Sequence, residues 1–436
     1  MKKLQFFYKK LMATFWFIPV MIIVITIFLA VGLVILDQHV QLSQDGLGKY
    51  FFVNSADSAR SILSTISGAM IGVAGTVFSV TLVALTLASS QFGPRLIKNF
   101  MYVRLNQVVL GSYVATYLYC LFVLNAIKES ESYTFMPIIS ILLAIIAALV
   151  NIILLIIFIH KIATSIQADN IISDISNNIH KQVHSLYPKE IGKELECEKI
   201  TIVENIKSKY LNSFLVKATK SGYLQYIDGE SLLKLACSFN VLIELNFRPG
   251  DYLVEGSEIV RVYTNIDLNE EDLKKICNQF VIGKAKVDGQ DVEFSIYQMV
   301  EIASRALSPG VNDPFTAITC IDNLTASMCL FTKIDFPSKY RVDEEKNLRI
   351  IANTTDFDGL MNASFNQIRQ FSAGSTAVII RLMEAQITIN DFVKKDSDKK
   401  AVAKHAKMIL NVGKQSIKEE IDLTDLYERS KKILTD

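Results

Sequence analysis

The chain has 436 residues, 45 Lys and Arg against 44 Asp and Glu, and a mean hydropathy of +0.31. A balance this close to neutral excludes the basic excess that nucleic-acid-binding proteins carry, so no nucleic-acid partner is expected. The six cysteines show no CxxC spacing, which argues against a zinc site, and we expect neither a metal nor a cofactor.

Four apolar segments are long enough to cross a bilayer, whose hydrocarbon core needs about 20 residues of helix. They are residues 14–36, 62–89, 106–127 and 136–160. The first is longer than the apolar part of a signal peptide and is not followed by a cleavage site of small residues, so we expect a retained anchor. Residues 1–160 are therefore predicted to form a transmembrane domain in contact with the lipid bilayer.

Basic residues alternate from one loop to the next. The N-terminus carries four lysines and no acid, and the loop after the second span is again basic, whereas the first and third loops contain acids. By the positive-inside rule, the N- and C-termini are both cytoplasmic. The pattern predicts a multi-pass protein of a bacterial inner (plasma) membrane, with everything after residue 160 in the cytoplasm.

One face of the second span consists of small and hydroxyl-bearing residues. Steps of three and four residues place Ser64, Gly68, Gly72, Gly75, Ser79, Leu82, Thr86 and Ser90 on it. Gly68 and Gly72 form a GxxxG step, which lets a neighbouring helix come close. Two interpretations stay open for Gly68, Gly72, Gly75, Ser79 and Thr86: a seam between helices, or the lining of a pore or substrate groove.

The last three spans contain no Asp, Glu, Lys or Arg over residues 61–94, 105–127 and 132–159. Because ion-coupled carriers commonly place such groups at mid-membrane, a passive pathway or a non-transporting sensor is favoured. The second span ends at Gly-Pro, and Pro94 and Arg95 are predicted to lie at the cytoplasmic mouth of any pathway. The alternative is that the basic residues after Pro94 only set the topology.

Apolar positions keep a helical period beyond the fourth span, as far as Val183. This pattern predicts a single helix from about residue 137 to 186. Its lower part, a stalk over residues 161–190, would pack against copies of itself or against the soluble domain.

Residues 191–265 are predicted to form a small β module. Two short strands around a Ser-Gly turn precede a helix with Asp228 as its N-cap, and a strand, turn, strand pattern follows. The spacing over residues 250–259 is similar to the hairpin of barrel-sandwich domains related to lipoyl carriers, but no lysine stands at its tip. Arg248 and Asp251 flank the Pro-Gly turn, and a structural pairing between them is favoured over a ligand role.

Residues 266–436 are predicted to form a mainly helical cytoplasmic domain. Residues 291–328 indicate helix, break, helix, with Asp313 as an N-cap before Pro314, and three further helices are expected after residue 355. Arg305, Asn312 and Asp313 form a candidate corner that is either a ligand site or a packing feature. No motif for nucleotide binding, hydrolysis or metal catalysis is present, so we expect no catalytic residues and no enzyme activity.

Four segments together resemble a bacterial family of predicted inner-membrane proteins of unknown function, domain-of-unknown-function family 2254. They are GAMIGVAGTVFSVTLVALTLASSQFGPRLIKNF, NQVVLGSYVATYLYCLFVL, RPGDYLVEGSEIVRV and RALSPGVNDPFTAITCIDNL. The resemblance covers nearly the whole chain and implies four membrane helices followed by a cytoplasmic domain. It implies no activity.

The sequence thus predicts a membrane α-helical fold with four transmembrane helices, followed by a cytoplasmic α+β domain with a barrel-sandwich-like β module and a helical tail. The favoured function is a homo-oligomeric passive channel or pore-like assembly with a cytoplasmic regulatory domain. The alternatives are a non-conducting scaffold or sensor that binds a lipid or small ligand and, third, a membrane enzyme acting on lipid.

Overall fold

The computed structural model describes residues 8, 11–12, 14–39, 55–93, 104–130, 133–165, 167–186, 193–194 and 200–434. The chain divides into two compact units, Met1–Asn170 and Ile171–Asp436.

The first unit contains four long helices and a short hairpin. The helices are α1 (Phe17–His39), α2 (Ala56–Phe92), α3 (Arg104–Ala126) and α4 (Ile138–Ser165), and the hairpin strands are β1 (Lys128–Ser130) and β2 (Tyr133–Phe135). All four helices are long and apolar enough to cross a membrane, which agrees with the four predicted spans. At 1.5 Å per residue, the 37 residues of α2 extend for about 55 Å, well beyond the thickness of a hydrocarbon core.

Helix α3 is the most buried helix of the first unit, and it packs against α1, α2 and α4. Gly111 permits a close approach of α1 and α3, since a Cβ added there would lie 2.9 Å from the Cα of Pro19 on α1. The buried carboxylate of Asp37, at the end of α1, accepts hydrogen bonds from the backbone N–H groups of Ile139 and Ser140 at 2.9 and 3.0 Å. Asp37 therefore caps the N-terminus of α4 from another helix.

The predicted single helix over residues 137–186 is wrong, because the structure has two helices there. Helix α4 ends at Ser165, and the next helix, α5 (Ala168–Leu186), begins three residues later, with Ile166 outside the described residues. The amide of Asn170 donates to the carbonyl oxygen of Thr164 at 2.7 Å, so a side chain takes a backbone acceptor next to the break. From Ile171 onward, α5 buries its apolar side within the second unit, which is one of the two arrangements expected for the stalk.

The second unit contains the remaining elements. The helices are α5 (Ala168–Leu186), α6 (Ile200–Lys207), α7 (Gly229–Ser238), α8 (Glu270–Cys277), α9 (Val292–Ala306), α10 (Pro314–Phe331), α11 (Phe357–Phe371), α12 (Thr376–Phe392), α13 (Asp396–Ser416) and α14 (Glu420–Ser430). The strands are β3 (Lys193–Glu194), β4 (Asn212–Lys217), β5 (Gly222–Ile227), β6 (Leu242–Leu245), β7 (Tyr252–Leu253), β8 (Glu258–Thr264), β9 (Phe280–Gly283), β10 (Tyr340–Val342) and β11 (Leu348–Ala352).

Two sheets share one apolar core in the second unit. The larger has the order β3-β10-β11-β6-β8-β4 and the smaller the order β7-β5-β9. All described strand pairs are antiparallel except β11 with β6. The two strands predicted around the Ser-Gly turn exist, but β4 pairs with β8 and β5 with β7 and β9, so they form no hairpin with each other. The likeness to barrel-sandwich domains stays a prediction.

The C-terminal part of the chain is less purely helical than expected. Strands β9, β10 and β11 lie within it: β9 joins the smaller sheet through β5, and β10 and β11 join the larger sheet through β6. Four helices, α11 to α14, follow residue 355 where three were predicted, because turns at residues 372–375, 393–395 and 417–419 interrupt the chain. Helices α9 to α14 pack on one another, and the Arg248 turn, between β6 and β7, lies beside α9 and α11.

Candidate functional site

The small-residue face of α2 points away from the other helices of its unit. All eight residues of this face, which we call the α2 outer face, are exposed: Ser64, Gly68, Gly72, Gly75, Ser79, Leu82, Thr86 and Ser90. A Cβ added at Gly68, Gly72 or Gly75 would meet nothing within 4 Å outside the helix's own backbone. The seam to α3 lies on the opposite face, where Leu63, Met70 and Val77 are buried.

The hydroxyl groups along this helix are bonded to its own backbone. Thr76, Ser79 and Thr86 donate to the carbonyl oxygens of Gly72, Gly75 and Leu82, at 3.3, 2.9 and 2.9 Å. A hydroxyl that donates in this way still has lone pairs with which to accept. Ser90 likewise donates to the carbonyl oxygen of Leu87, so the hydroxyls of Ser79, Thr86 and Ser90 have their donors in use and present acceptors to a neighbour.

The polar residues of α3 and α4 face each other inside the first unit. The side chain of Asn151 is fully buried, accepts from Ser112 at 2.6 Å and donates to Thr116 at 2.8 Å. The hydroxyl of Tyr113 donates to the carbonyl oxygen of Asn151 at 2.7 Å. These bonds join two helices of the same chain, so this cluster holds the unit together and lies away from the α2 outer face.

Pro94 and Arg95, the residues predicted for the cytoplasmic mouth, lie outside the described residues. The last described residue before them is Gly93, whose N–H donates to the carbonyl oxygen of Ser89 at 3.1 Å and closes the last turn of α2.

The corner of Arg305, Asn312 and Asp313 connects α9 to α10. The carboxylate of Asp313 accepts from the backbone N–H of Thr316 at 3.1 Å and from its hydroxyl at 2.5 Å. The hydrogen bond from that hydroxyl lowers the pKa of Asp313. Asn312 has a positive φ of 49°, which an asparagine tolerates better than most residues. The N-terminus of α10 is thus capped by the chain itself, and Arg305 lies in the last turn of α9.

A second polar site, which the sequence did not predict, surrounds Arg248. Its guanidinium contacts Glu293 at 2.8 Å and Thr355, and the hydroxyl of Thr355 in turn donates to Glu293 at 3.2 Å. The expected partner, Asp251, accepts instead from the backbone N–H of Arg248, at 2.9 Å. Glu293 and Thr355 lie 45 and 107 positions from Arg248 in the chain, so no local pattern could have indicated this arrangement.

Asp291 lies between the Arg248 turn and the start of α9. Its carboxylate caps α9 by accepting from the backbone N–H of Phe294 at 3.2 Å, while its second oxygen is buried and has no partner among the described residues. Burial raises the pKa of Asp291 to about 6. Gly250, with a φ of +98°, packs directly against this carboxylate, at a distance that leaves no room for a side chain.

In the part of the chain that the structure covers, no group of three or more His, Cys, Asp or Glu side chains is placed to hold a metal ion.

Comparison with known proteins agrees with the membrane architecture. An uncharacterized protein of Mycobacterium tuberculosis strain H37Rv is 29% identical over 381 residues, which cover 86% of this chain and 72% of that protein. An uncharacterized protein of Mycobacterium bovis gives the same values. No solved structure matches the chain. The family described as "Predicted membrane protein (DUF2254)" matches residues 12–387. With most of its length matched and four helices able to span a membrane, the chain belongs to this family of predicted membrane proteins.

Proposed function

We propose that the protein is a homo-oligomeric, passive channel or pore-like assembly whose subunits meet along the α2 outer face. The observation that carries this proposal is the exposure of that whole face, with three glycines that have open space where a side chain would be. Small residues in a membrane helix allow close backbone approach, and packing between helices drives association in lipid. A second copy of the chain would supply the close-fitting surface.

The chemistry of the face supports a pathway for ions or small polar solutes. Its hydroxyl oxygens can accept hydrogen bonds or coordinate a cation, as oxygen ligands do in selectivity filters. Residues 61–94 contain no ionisable side chain that could couple transport to proton movement. A passive pathway fits these properties better than an ion-coupled carrier.

The orientation of the chain in the membrane is inferred from the charges of its loops. The alternation of basic loops favours cytoplasmic N- and C-termini in a bacterial inner membrane. In this orientation the second unit is cytoplasmic and regulates the pathway, and Pro94 and Arg95 lie at its cytoplasmic mouth. The bacterial source of the relatives supports this membrane.

The test combines oligomeric state with flux. The wild-type chain is purified, its mass is measured in lipid nanodiscs, and K⁺ release is followed from liposomes. We expect an oligomer and K⁺ release, and we expect Gly72→Leu to lose both. Gly32→Leu is the matched control, because Gly32 is an equally open membrane glycine on α1. Single subunits without flux in any lipid or at any voltage would overturn the proposal.

A second candidate function is a non-conducting sensor that binds a small ligand through its second unit. The half-buried charge network at Arg248 favours it, since such an arrangement holds a polar site in place. An oligomer that passes no solute, yet binds a ligand, would support the sensor over the channel.

A further inference from the structure

A polar pocket of about 540 Å³ opens beside the Arg248 network in the second unit. Its volume lies in the range of small-molecule sites, which commonly measure roughly 300–1,000 Å³. The walls come from three separate parts of the chain: the Arg248 turn, α9 through Glu293 and Tyr297, and the start and one face of α11. A site assembled from such distant segments exists only in the folded unit.

Helix α11 contributes a row of amide side chains to this pocket. Asn362 and Asn366, four residues apart, lie one above the other, and so do Gln367 and Gln370, three residues apart; all four line the pocket. Asn366 donates to the oxygen of Asn362 at 3.3 Å, while its own side-chain oxygen is buried and has no partner among the described residues. Gln367 and Gln370 are exposed. This row offers donors and acceptors side by side, as a neutral heterocycle or a polyol requires.

The charges of the pocket disfavour an anion. The only cation lining it, among the described residues, is Arg248, whose guanidinium is already paired with Glu293 at 2.8 Å. Asp356 adds a second carboxylate and uses one oxygen to cap α11 through the N–H of Gly359 at 2.8 Å. Arg248 and Glu293 neutralise each other, which leaves the net charge of −1 from Asp356, so a neutral ligand fits the pocket better than a phosphate.

The pocket also has aromatic walls. Phe371, at the end of α11, is 46% exposed, and Tyr297 lines the pocket from α9. An exposed ring can stack on a flat heterocycle, amides can pair with the donor and acceptor edge of a base, and carboxylates accept from sugar hydroxyls. We propose that this pocket binds a neutral nucleoside, with the amides of α11 at the base and the carboxylates of Glu293 and Asp356 at the ribose.

The test is calorimetric titration of the full chain in detergent with adenosine, guanosine, cytidine and uridine. We expect saturable binding of at least one nucleoside, with its 5′-monophosphate at least about tenfold weaker because the phosphate meets the carboxylates. Loss of two amides in the double variant Gln367→Ala/Gln370→Ala should weaken binding by about tenfold or more. Both glutamines are exposed, so the fold should tolerate this change. Gln415→Ala, at an exposed glutamine on α13 outside the pocket, is the matched control and should bind as the wild type does.

The nucleoside assignment would be overturned if none of the four nucleosides gave saturable heat, or if the double variant bound them as tightly as the wild type does. It would also be overturned if the monophosphate bound as tightly as the nucleoside, or if glucose, titrated in the same way, bound more tightly than any nucleoside. The inference does not depend on the channel. A protein that passes K⁺ without binding nucleosides would refute the pocket alone, and the reverse result would refute the channel alone.

Discussion

Replacing Gly250 with alanine should destabilise the second unit through two separable effects. The first is backbone strain, because Gly250 has a φ of +98°, where a residue with a side chain costs about 1–3 kcal/mol. The second is steric, because the new Cβ would lie 2.6 Å from the Cγ of Asp291 and must displace that carboxylate. Displacement breaks the N-cap of α9, which is worth about 1 kcal/mol. The expected total is about 2–4 kcal/mol.

The assay is urea-induced unfolding of the full chain in detergent micelles, followed by circular dichroism. Gly256→Ala isolates the strain, because Gly256 also has a positive φ, +82°, but open space around it. In an Asp291→Ser background the cap is kept and the side chain at position 291 is shorter. There, Gly250→Ala should cost only the energy of the backbone strain. If Gly250→Ala costs no more than Gly256→Ala, or costs the same in both backgrounds, the proposed contact between the turn and α9 is refuted.

Three further predictions concern buried groups. Because burial raises the pKa of Asp291 to about 6, above its unfolded value, the protein loses stability as pH rises from about 4 through 6. Asp291→Asn should therefore raise the unfolding free energy by up to about 3 kcal/mol above pH 6, measured by urea unfolding across that range. The absence of a pH-dependent gain would contradict this prediction. Burial lowers the pKa of His405 to about 4, so the protein loses stability as pH falls from about 6.5 to 4. His405→Gln should flatten the plot of unfolding free energy against pH in this range, and an unchanged slope would count against the burial argument. Gly111→Leu should force α1 away from α3, at an overpacking cost of at least about 1–3 kcal/mol, and so lower the thermal unfolding midpoint in detergent. Gly72→Leu should leave the midpoint of the separated subunit unchanged, because its side chain meets open space. Equal midpoints for the two variants would contradict this assignment of the seam.

The sequence alone determined the features that depend on neighbouring residues. Hydropathy and length predicted the four membrane helices, because a bilayer selects any apolar segment of sufficient length wherever it lies in the chain. The N-caps at Asp228 and Asp313 were also predicted, because each carboxylate accepts from a backbone N–H only three positions away in the sequence. The apolar period of α5 predicted its buried side, although the helix break after Ser165 was missed.

Only the tertiary structure decided which of these features meet. Gly72 and Gly111 are both membrane glycines in the sequence, yet one faces away from its unit and the other contacts Pro19. Periodicity defines the faces of a helix but does not say which face meets a neighbour. Likewise, Arg248 pairs with Glu293 instead of nearby Asp251, and the parallel pairing of β11 with β6 joins segments about a hundred residues apart. Such contacts form because the whole chain must bury its apolar surface at once, and that requirement is not written in any single segment.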